Sequence, residues 1–238
     1  MIASLCNDAK LDEKDASLPL EQRTIHGNAT DAAVLRFAES LSLPTIGIDN
    51  RKLTASYDKL FNIPFNSRNK WMLTVIREKE KPDVDSWVLV KGAPDVLLPM
   101  CANVLQADGT ESPIDSTNKQ RLEDLQENWS RQGQRVIALC KKPLPAAKAD
   151  LFSLPPNEVE EMMYENLTDL TLVGFLGICD PPRPNAKDTV TILRRAGIRV
   201  FMVTGDFALT GVSIAKQVRT FCSSICSRSF RRSCCYEC

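Results

Sequence analysis

The stretch Ile198–Asp206, Ile-Arg-Val-Phe-Met-Val-Thr-Gly-Asp, most constrains the fold of this chain. An apolar, β-branched run of this length that ends in a small polar turn predicts a buried strand of an α/β sheet. Predicted helices flank it, Asn185–Ala196 before and Ala208–Val218 after. Open α/β sheets bind their ligands at the carboxyl ends of the strands, so this end is a candidate site. Its residues are Thr204, Gly205 and Asp206.

Composition excludes some classes of partner. The chain of 238 residues carries 30 basic and 30 acidic side chains, so there is no electrostatic argument for nucleic acid or a membrane surface. Its longest apolar run, Leu172–Cys179, is far shorter than the roughly 18 residues that a membrane-spanning helix needs. The first residues show no secretory signal. We expect a soluble chain, which can still belong to a larger membrane protein.

The chain ahead of Leu172 predicts an antiparallel sheet with flanking helices. Alternating apolar residues over Lys70–Arg77 and Ser86–Lys91, separated by a charged turn, predict a hairpin. A further strand is predicted over Arg135–Lys141, whereas residues 1–27 are polar and predict no regular structure. The predicted helices are Asn28–Leu41, Asp95–Met100, Thr117–Gln132 and Glu158–Leu167.

A proline-rich joint divides the chain. Asp180-Pro181-Pro182-Arg183-Pro184 holds the backbone extended because each proline fixes its own φ and restricts the residue before it. We place a domain boundary near it, between an α+β domain and one αβα piece of a parallel sheet. Since a parallel sheet cannot consist of one strand, the second domain is expected to be partial.

The motifs of several enzyme classes are absent from the sequence, among them a Walker phosphate loop, a Rossmann Gly-x-Gly-x-x-Gly and His-Glu-x-x-His. One histidine, His26, permits neither a conventional catalytic triad nor a histidine-rich metal site, and we expect it to be structural or exposed. Candidate binding residues are therefore cationic and aromatic side chains at predicted strand ends. They are Phe65, Lys70, Lys91 and Arg135. Taken singly, each has an ordinary alternative, a solvated cation or a core phenylalanine, and Thr-Gly-Asp could be a plain turn.

Nine cysteines fall into two groups. Four have apolar neighbours and are predicted to be buried in a cytosolic protein. These are Cys6, Cys101, Cys140 and Cys179. The other five lie between Cys222 and Cys238, in a tail rich in Ser, Cys and Arg. Its paired cysteines could bind zinc, but we expect an aberrant, out-of-frame or intron-derived end of a truncated gene product.

Six stretches, taken together and in order, carry a family resemblance. They are Asn28-Ala29-Thr30-Asp31-Ala32-Ala33, Phe65-Asn66-Ser67-Arg68-Asn69-Lys70, Lys91-Gly92-Ala93-Pro94, Gly133-Gln134-Arg135-Val136, Asp180-Pro181-Pro182-Arg183 and Met202-Val203-Thr204-Gly205-Asp206. They resemble the cytoplasmic signatures of the P-type cation-transporting ATPases. The stretch that begins at Phe65 is most similar to the sodium/potassium-type branch, including its fungal members. The resemblance covers about residues 1–218.

The resemblance implies a fold class, domains and ligands. An α+β nucleotide-binding domain, an antiparallel sheet with flanking helices, would occupy residues 1–173. Part of a haloacid-dehalogenase-like α/β phosphorylation domain would occupy 174–218, and the aberrant tail 219–238. ATP would be the ligand, with Mg²⁺ in the full-length enzyme. The partner would be the remainder of the pump with its membrane helices, which makes this chain a cytoplasmic portion of an integral membrane protein.

The resemblance also implies roles for residues of the nucleotide-binding domain. Phe65 would stack on adenine, and Lys70 would lie near the ring and the phosphates. Asp31 would take the position of the family's acidic residue at the adenine end. Lys91 and Gly92 would border the pocket, with the glycine allowing close approach.

Further roles are implied for residues near the phosphates and at the proline-rich joint. Arg135 would meet the phosphates with its planar donor fork. Thr204, followed by Gly205, would hydrogen-bond the transferred phosphoryl group, and Asp206 would help to organise the nucleotide. Asp180 and Arg183 would brace the joint.

The chain departs from the family pattern. It contains neither the Asp-Lys-Thr-Gly-Thr string whose aspartate is phosphorylated nor the Gly-Asp-Gly-x-Asn-Asp segment that helps to hold magnesium. Gly211 replaces the usual alanine. We expect a fragment that binds ATP without turnover, from a pump that couples ATP hydrolysis through an aspartyl phosphate to Na⁺/K⁺ transport. Alternatives are a non-catalytic nucleotide-binding module, a non-functional gene-model fragment, or a calcium or proton pump, since ion selectivity resides in membrane helices.

Overall fold

The computed structural model describes residues 1–42, 49–80, 85–145 and 152–220. The chain divides into two compact units. The first contains Met1–Thr117 and Ile137–Leu176, and the second contains Asn118–Val136 and the chain from Gly177. The domain boundaries derived from the sequence remain predictions, and the cysteine-rich part of the tail lies outside the described residues.

A seven-stranded sheet forms the centre of the first unit. In chain order its strands are β3 (Tyr57–Ile63), β4 (Trp71–Glu78), β5 (Ser86–Gly92), β6 (Cys101–Leu105), β7 (Glu111–Pro113), β8 (Gln134–Leu144) and β9 (Leu170–Cys179). Their spatial order is β3-β4-β5-β8-β9-β6-β7. The pairs β3–β4, β4–β5, β5–β8 and β6–β7 are antiparallel, and β6 pairs with β9 in parallel. A separate two-stranded ribbon joins β1 (Lys10–Leu11) to β2 (Ile25–His26).

The α-helices are α1 (Ile2–Leu5), α2 (Ala29–Ser40), α3 (Asn50–Ala55), α4 (Pro94–Leu97), α5 (Ser116–Arg131), α6 (Pro156–Glu165), α7 (Ala186–Arg195) and α8 (Ala208–Gln217). Short 3₁₀ turns occupy Glu13–Asp15, Leu20–Gln22 and Leu98–Met100. These elements confirm the fold class predicted for the first domain, a sheet with flanking helices. None of the helices in the described ranges is both long enough and apolar enough to cross a membrane.

The cap of α2 follows the predicted pattern. The Asn28 side chain accepts a hydrogen bond from the Asp31 backbone N–H at 2.8 Å, which satisfies one of the donors that a helix start leaves free. Val34 and Ala38 are buried on the apolar face of the helix. The helix thereby fixes where Asp31 enters the core.

The hairpin of β4 and β5 is confirmed, but it is more buried than the alternation predicts. Residues 71–76 are buried on both faces, which is typical of a strand near the centre of a covered sheet. The register pairs Trp71 with Gly92 and Met72 with Lys91. The start of β4 therefore lies beside the end of β5, and this juxtaposition builds the site described below.

The prediction that residues 1–27 are irregular is wrong, because they contain α1, the β1–β2 ribbon and two 3₁₀ turns. Ile2, Leu5 and Cys6 are 5%, 2% and 0% exposed, and the first two belong to α1. Apolar residues at positions i, i+3 and i+4 form one face of a helix, and a single turn of this kind is easily overlooked among polar neighbours. This turn contacts both α2 and β5.

The second unit contains α5, α7 and α8. Gly133, at φ +83°, follows the end of α5, as the sequence predicts. The Thr210 hydroxyl of α8 donates to the Gln134 carbonyl at 3.0 Å. A Cβ on Gly177 would lie 2.2 Å from the Gln134 side-chain oxygen, so a larger residue here would require the Gln134 side chain to move.

The predicted buried strand over Ile198–Asp206 is not formed. Ile198 and Phe201 are 50% exposed and Val203 is 81% exposed, and no strand is assigned to this segment. A strand needs a neighbour for its backbone hydrogen bonds, and no strand of the described residues pairs with this one. The flanking helices α7 and α8 do form as predicted.

The prediction that four scattered cysteines are buried holds for two of them. Cys6 and Cys140 are buried, whereas Cys101 is half-buried and Cys179 is exposed. Cys179 is the last residue of β9, where the chain leaves the sheet, so its apolar sequence neighbours do not cover it. His26 is exposed, as predicted, and its Nε2 lies 3.3 Å from Asp12 Oδ2.

Candidate functional site

A short turn between β3 and β4 presents two of the predicted site residues. The Asn66 side chain accepts from the Asn69 backbone N–H at 2.8 Å, and the Asn66 carbonyl accepts from the Lys70 N–H at 2.9 Å. Lys70 adopts a left-handed conformation, at φ 60°, that non-glycine residues rarely use. Phe65 is 55% exposed. The turn thus holds a phenyl ring and a lysine outside the core.

Lys91 and Asp31 form a buried ion pair. Lys91 Nζ donates to Asp31 Oδ1 at 2.5 Å, and each side chain is 5% exposed. Removing two charges from water is costly, so a pair of this kind persists only when hydrogen bonds satisfy both groups. The structure therefore brings together two predicted site residues that are 60 positions apart.

Residues near the start of the chain hold Asp31 in place through hydrogen bonds. Asn7 is buried and donates its amide to the Asp31 carbonyl at 3.1 Å and to the Ala3 carbonyl at 2.9 Å. The Asp8 backbone N–H donates to Asp31 Oδ2 at 3.4 Å. Both carboxylate oxygens of Asp31 thus have donors, which fixes the carboxylate at the start of α2.

Two titratable groups line the same interior. Burial raises the pKa of the Cys6 thiol to about 11, and the charge of Lys91 opposes this rise. Burial also lowers the pKa of the Lys59 ammonium, whose Nζ donates to the Asn7 carbonyl at 3.2 Å. Near Lys91 the interior therefore favours neutral groups, except where a charge has a partner of opposite sign.

Gly92 is required by its own neighbours. A Cβ at this position would lie 2.6 Å from the Lys70 carbonyl oxygen and 2.6 Å from the Trp71 Cβ. The Ala93 N–H donates to that same Lys70 carbonyl at 3.0 Å. The end of β5 and the turn that carries Lys70 are thus locked together.

A second, exposed ion pair joins the same two segments. Lys70 Nζ lies 3.4 Å from Asp95 Oδ2, and the side chains are 46% and 35% exposed. Asp95 occupies the first turn of α4, directly after the Lys91-Gly92-Ala93-Pro94 stretch. Each predicted cation at this end of the hairpin therefore has a carboxylate partner.

In the second unit the structure brings three other predicted residues together. Arg135 donates through Nε and Nη2 to Asp206 Oδ1, at 2.9 and 2.7 Å. The Asp206 backbone N–H donates to the Thr204 hydroxyl at 3.1 Å. A Cβ on Gly205, between them, would meet no atom within 4 Å outside the neighbouring residues. The predicted Thr-Gly-Asp turn thus exists although the strand before it does not.

Sequence reasoning missed several residues of the first-unit site. Asp95, Asn7 and Lys59 were not predicted from the sequence. Weak signals exist for two of them: Asp95 is a carboxylate within five residues of Lys91, and Asn7 is an asparagine that follows an apolar helical turn. Tyr164 of α6, which contacts the turn before β4, had no local signal. Among the described residues, no group of three or more His, Cys, Asp or Glu side chains gathers to hold a metal ion.

The class of protein follows from a family comparison. The model of the P-type ATPase cytoplasmic domain N matches residues 1–185, which contain the whole β3–β9 sheet and the Asp31, Phe65 and Lys91 positions. The chain belongs to the P-type ATPase family.

Comparison with individual relatives indicates the same family. The chain is 34% identical over 219 residues to the sodium/potassium-transporting ATPase subunit alpha-A of Artemia franciscana, covering 91% of this chain and 21% of that protein. It is 34% identical over 217 residues to the potassium-transporting ATPase alpha chain 2 of Oryctolagus cuniculus, covering 91% and 19%. A sodium/potassium-transporting ATPase alpha subunit of Tetronarce californica is 34% identical over 217 residues. This chain spans about a fifth of the length of the first two of these relatives.

Proposed function

We propose that the first unit binds ATP at the end of the β4–β5 hairpin. The observation that carries the proposal is the 55% exposed ring of Phe65 on a turn joined by backbone hydrogen bonds to the end of β5. An exposed ring on a fixed turn offers a face for adenine, and base–aromatic stacking contributes about 1–3 kcal/mol. Asp31 then takes the position of the acidic residue at the adenine end of the site, as the family resemblance implies.

The cations of this site attract the phosphates. Lys70 is half-exposed and bound to Asp95 at 3.4 Å, a pair that water screens and that therefore opens readily. Lys91 is buried and held by Asp31. Its charge acts from inside the core, and Gly92 beside it is buried against Lys70 and Trp71. Because two carboxylates offset the two lysines, we expect weak affinity for ATP.

The second unit supplies a separate set of groups. We propose that Arg135 contacts phosphates through its planar guanidinium, which Asp206 orients, and that the Thr204 hydroxyl contacts a transferred phosphoryl group. Gly205 gives the open backbone between Thr204 and Asp206. These roles are independent of adenine stacking by Phe65.

The whole protein of which this chain is part is proposed to be a cation pump. Its relatives are named as sodium/potassium- and potassium-transporting ATPases, which favours monovalent cations over calcium. Such a pump hydrolyses ATP with Mg²⁺ through an aspartyl phosphate. We assign no magnesium ligand to this chain, and its partners are the remainder of the pump with the membrane helices.

Titration with ATP tests the adenine site. Phe65→Ala should weaken ATP binding about fivefold to a hundredfold, which corresponds to the loss of one stacked base. Phe37→Ala is the matched control, since Phe37 is 41% exposed on α2 and has no predicted role. Equal affinity of wild type and Phe65→Ala would contradict the site, as would a selective loss in Phe37→Ala.

Hydrolysis by this chain alone is not expected, because it contains no Asp-Lys-Thr-Gly-Thr acceptor string. Purified chain mixed with ATP and Mg²⁺ should release no phosphate above the rate of the Asp206→Ala variant. Phosphate release that Asp206→Ala abolishes would contradict this part of the proposal while leaving ATP binding intact.

A further inference from the structure

Tyr164 connects α6 to the turn that carries Phe65 and Lys70. Its hydroxyl oxygen accepts a hydrogen bond from Asn69 Nδ2 at 2.7 Å. Its ring lies 5.1 Å from the Trp71 ring, centroid to centroid, with an interplanar angle of 53°, a geometry that favours aromatic pairs. One side chain thus contacts both the last part of the turn and the first residue of β4.

The helix that carries Tyr164 is itself fixed. Val159, Met163 and Leu167 are 2%, 6% and 5% exposed, and their spacing of four residues places them on one face of α6 and its exit. Tyr164 itself remains 38% exposed. The buried residues anchor the helix, and Tyr164 reaches from this anchor to the turn.

The turn needs such a contact. Its internal hydrogen bonds run from the amides of Asn69 and Lys70 to Asn66. Lys70 occupies the left-handed region, which costs a non-glycine residue free energy and is kept only when surroundings hold it. Asn69, one residue before Lys70, is where Tyr164 attaches.

We infer that Tyr164 is a positioning residue for nucleotide binding, through Asn69 and Trp71. It touches no nucleotide. It holds the turn so that Phe65 and Lys70 are presented together, and it makes α6, outside the hairpin, a determinant of nucleotide affinity. This inference rests on the proposed function, since it names a residue that supports the same site.

Two variants and two measurements test it on the full chain. Tyr164→Phe keeps the ring on Trp71 and removes only the hydroxyl, whereas Asn69→Ala removes the donor. ATP affinity should fall about two- to fivefold in either variant, the effect of one partly exposed hydrogen bond. The double variant should be no weaker than either single one. Tyr57→Phe, in β3, is the control for loss of a tyrosine hydroxyl and should leave the affinity unchanged.

Amide hydrogen exchange without nucleotide provides the second readout. In Tyr164→Phe the amides of Asn69 and Lys70 should exchange faster, while those of β5 should not, because the global fold is retained. Unchanged exchange at these two amides would overturn the positioning role. Faster exchange with unchanged ATP affinity would overturn its link to binding. If wild type binds no ATP while exchange responds as expected, the proposed function fails and the positioning of the turn stands.

Discussion

At the scale of single residues, the buried pair of Asp31 and Lys91 is the feature on which the site most depends. Both side chains are 5% exposed at 2.5 Å separation, and the pair connects the start of α2 to the end of β5. The family resemblance predicted both residues for the site. It did not predict their mutual contact, because a contact between residues 60 positions apart arises from packing and leaves no local pattern.

Asp31→Asn should destabilise the first unit strongly. It leaves Lys91 buried without a carboxylate, and breaking such a pair typically costs about 3–5 kcal/mol. Urea unfolding should show the loss. The control is Asp95→Asn, which breaks the exposed Lys70 pair and should cost about 1 kcal/mol or less. Similar effects of the two variants would contradict the description of Lys91 as a buried, paired cation.

The buried thiol of Cys6 should make the stability of the folded chain fall at high pH. Its folded pKa is raised to about 11 from the ordinary 9.0, so above pH 9 the unfolded chain releases a proton that the folded chain retains. Its contribution is complete below pH 9 and is lost as pH rises towards 11, by up to about 3 kcal/mol. The neighbouring groups are Lys91, Lys59, Thr74 and Asp31.

Comparison of variants isolates this contribution. Lys59 has the opposite effect on the pH dependence of stability. Because its pKa is lowered in the folded chain, the folded chain loses the Lys59 proton at a lower pH than the unfolded chain does. Unfolding free energies between pH 8 and 11, measured by denaturant titration, should therefore decline less steeply for Cys6→Ala than for wild type. Cys179→Ala removes an exposed thiol and should follow the wild-type curve. Parallel curves for wild type and Cys6→Ala would refute the effect.

At the scale of elements, the amphipathic helices and the hairpin were predictable from the sequence. Asn28 caps α2 and Gly133 follows α5 as their local patterns indicate, because caps and glycine turns depend on a few adjacent residues. Strands β3, β6, β7 and β9 of the sheet were not predicted. The side chains of β3, β6 and β7 are only partly buried, so these three lack the sharp apolar alternation that marks a strand.

Gly211 in α8 offers an element-scale prediction. A helix-interior glycine costs about 1 kcal/mol relative to alanine. A Cβ at Gly211 would lie 3.1 Å from the Thr204 methyl, and Thr204 belongs to a segment without strand hydrogen bonds, so it can move by a few tenths of an ångström. Gly211→Ala should therefore stabilise the second unit by up to about 1 kcal/mol.

Gly133→Ala should have the opposite effect on stability to Gly211→Ala. Gly133 has φ +83°, and its Cβ would lie 3.0 Å from the Gln217 side chain. Alanine in this conformation should destabilise by about 1 kcal/mol or more. Thermal unfolding of both variants gives the comparison. Destabilisation by Gly211→Ala would show that Thr204 is held more rigidly than its surroundings suggest.

At the scale of the whole molecule, the segment 198–206 shows the limit of sequence reasoning. Its β-branched, apolar residues predicted a buried strand, yet Val203 is 81% exposed. Local preference defines a strand only when neighbouring strands accept its backbone hydrogen bonds. The first unit satisfies this condition within the described residues, and there the predicted fold class is confirmed. The roles of the site residues remain predictions.

The central claim is that ATP binds to the first unit at the end of the β4–β5 hairpin. Amide chemical shifts of the ¹⁵N-labelled chain, followed while ATP is added to millimolar concentration, test it most directly. We predict that the largest changes occur in the turn 65–70 and at Lys91 and Gly92, while the ribbon of β1 and β2 is unaffected. Absence of any change, or changes confined to the ribbon, would contradict the claim.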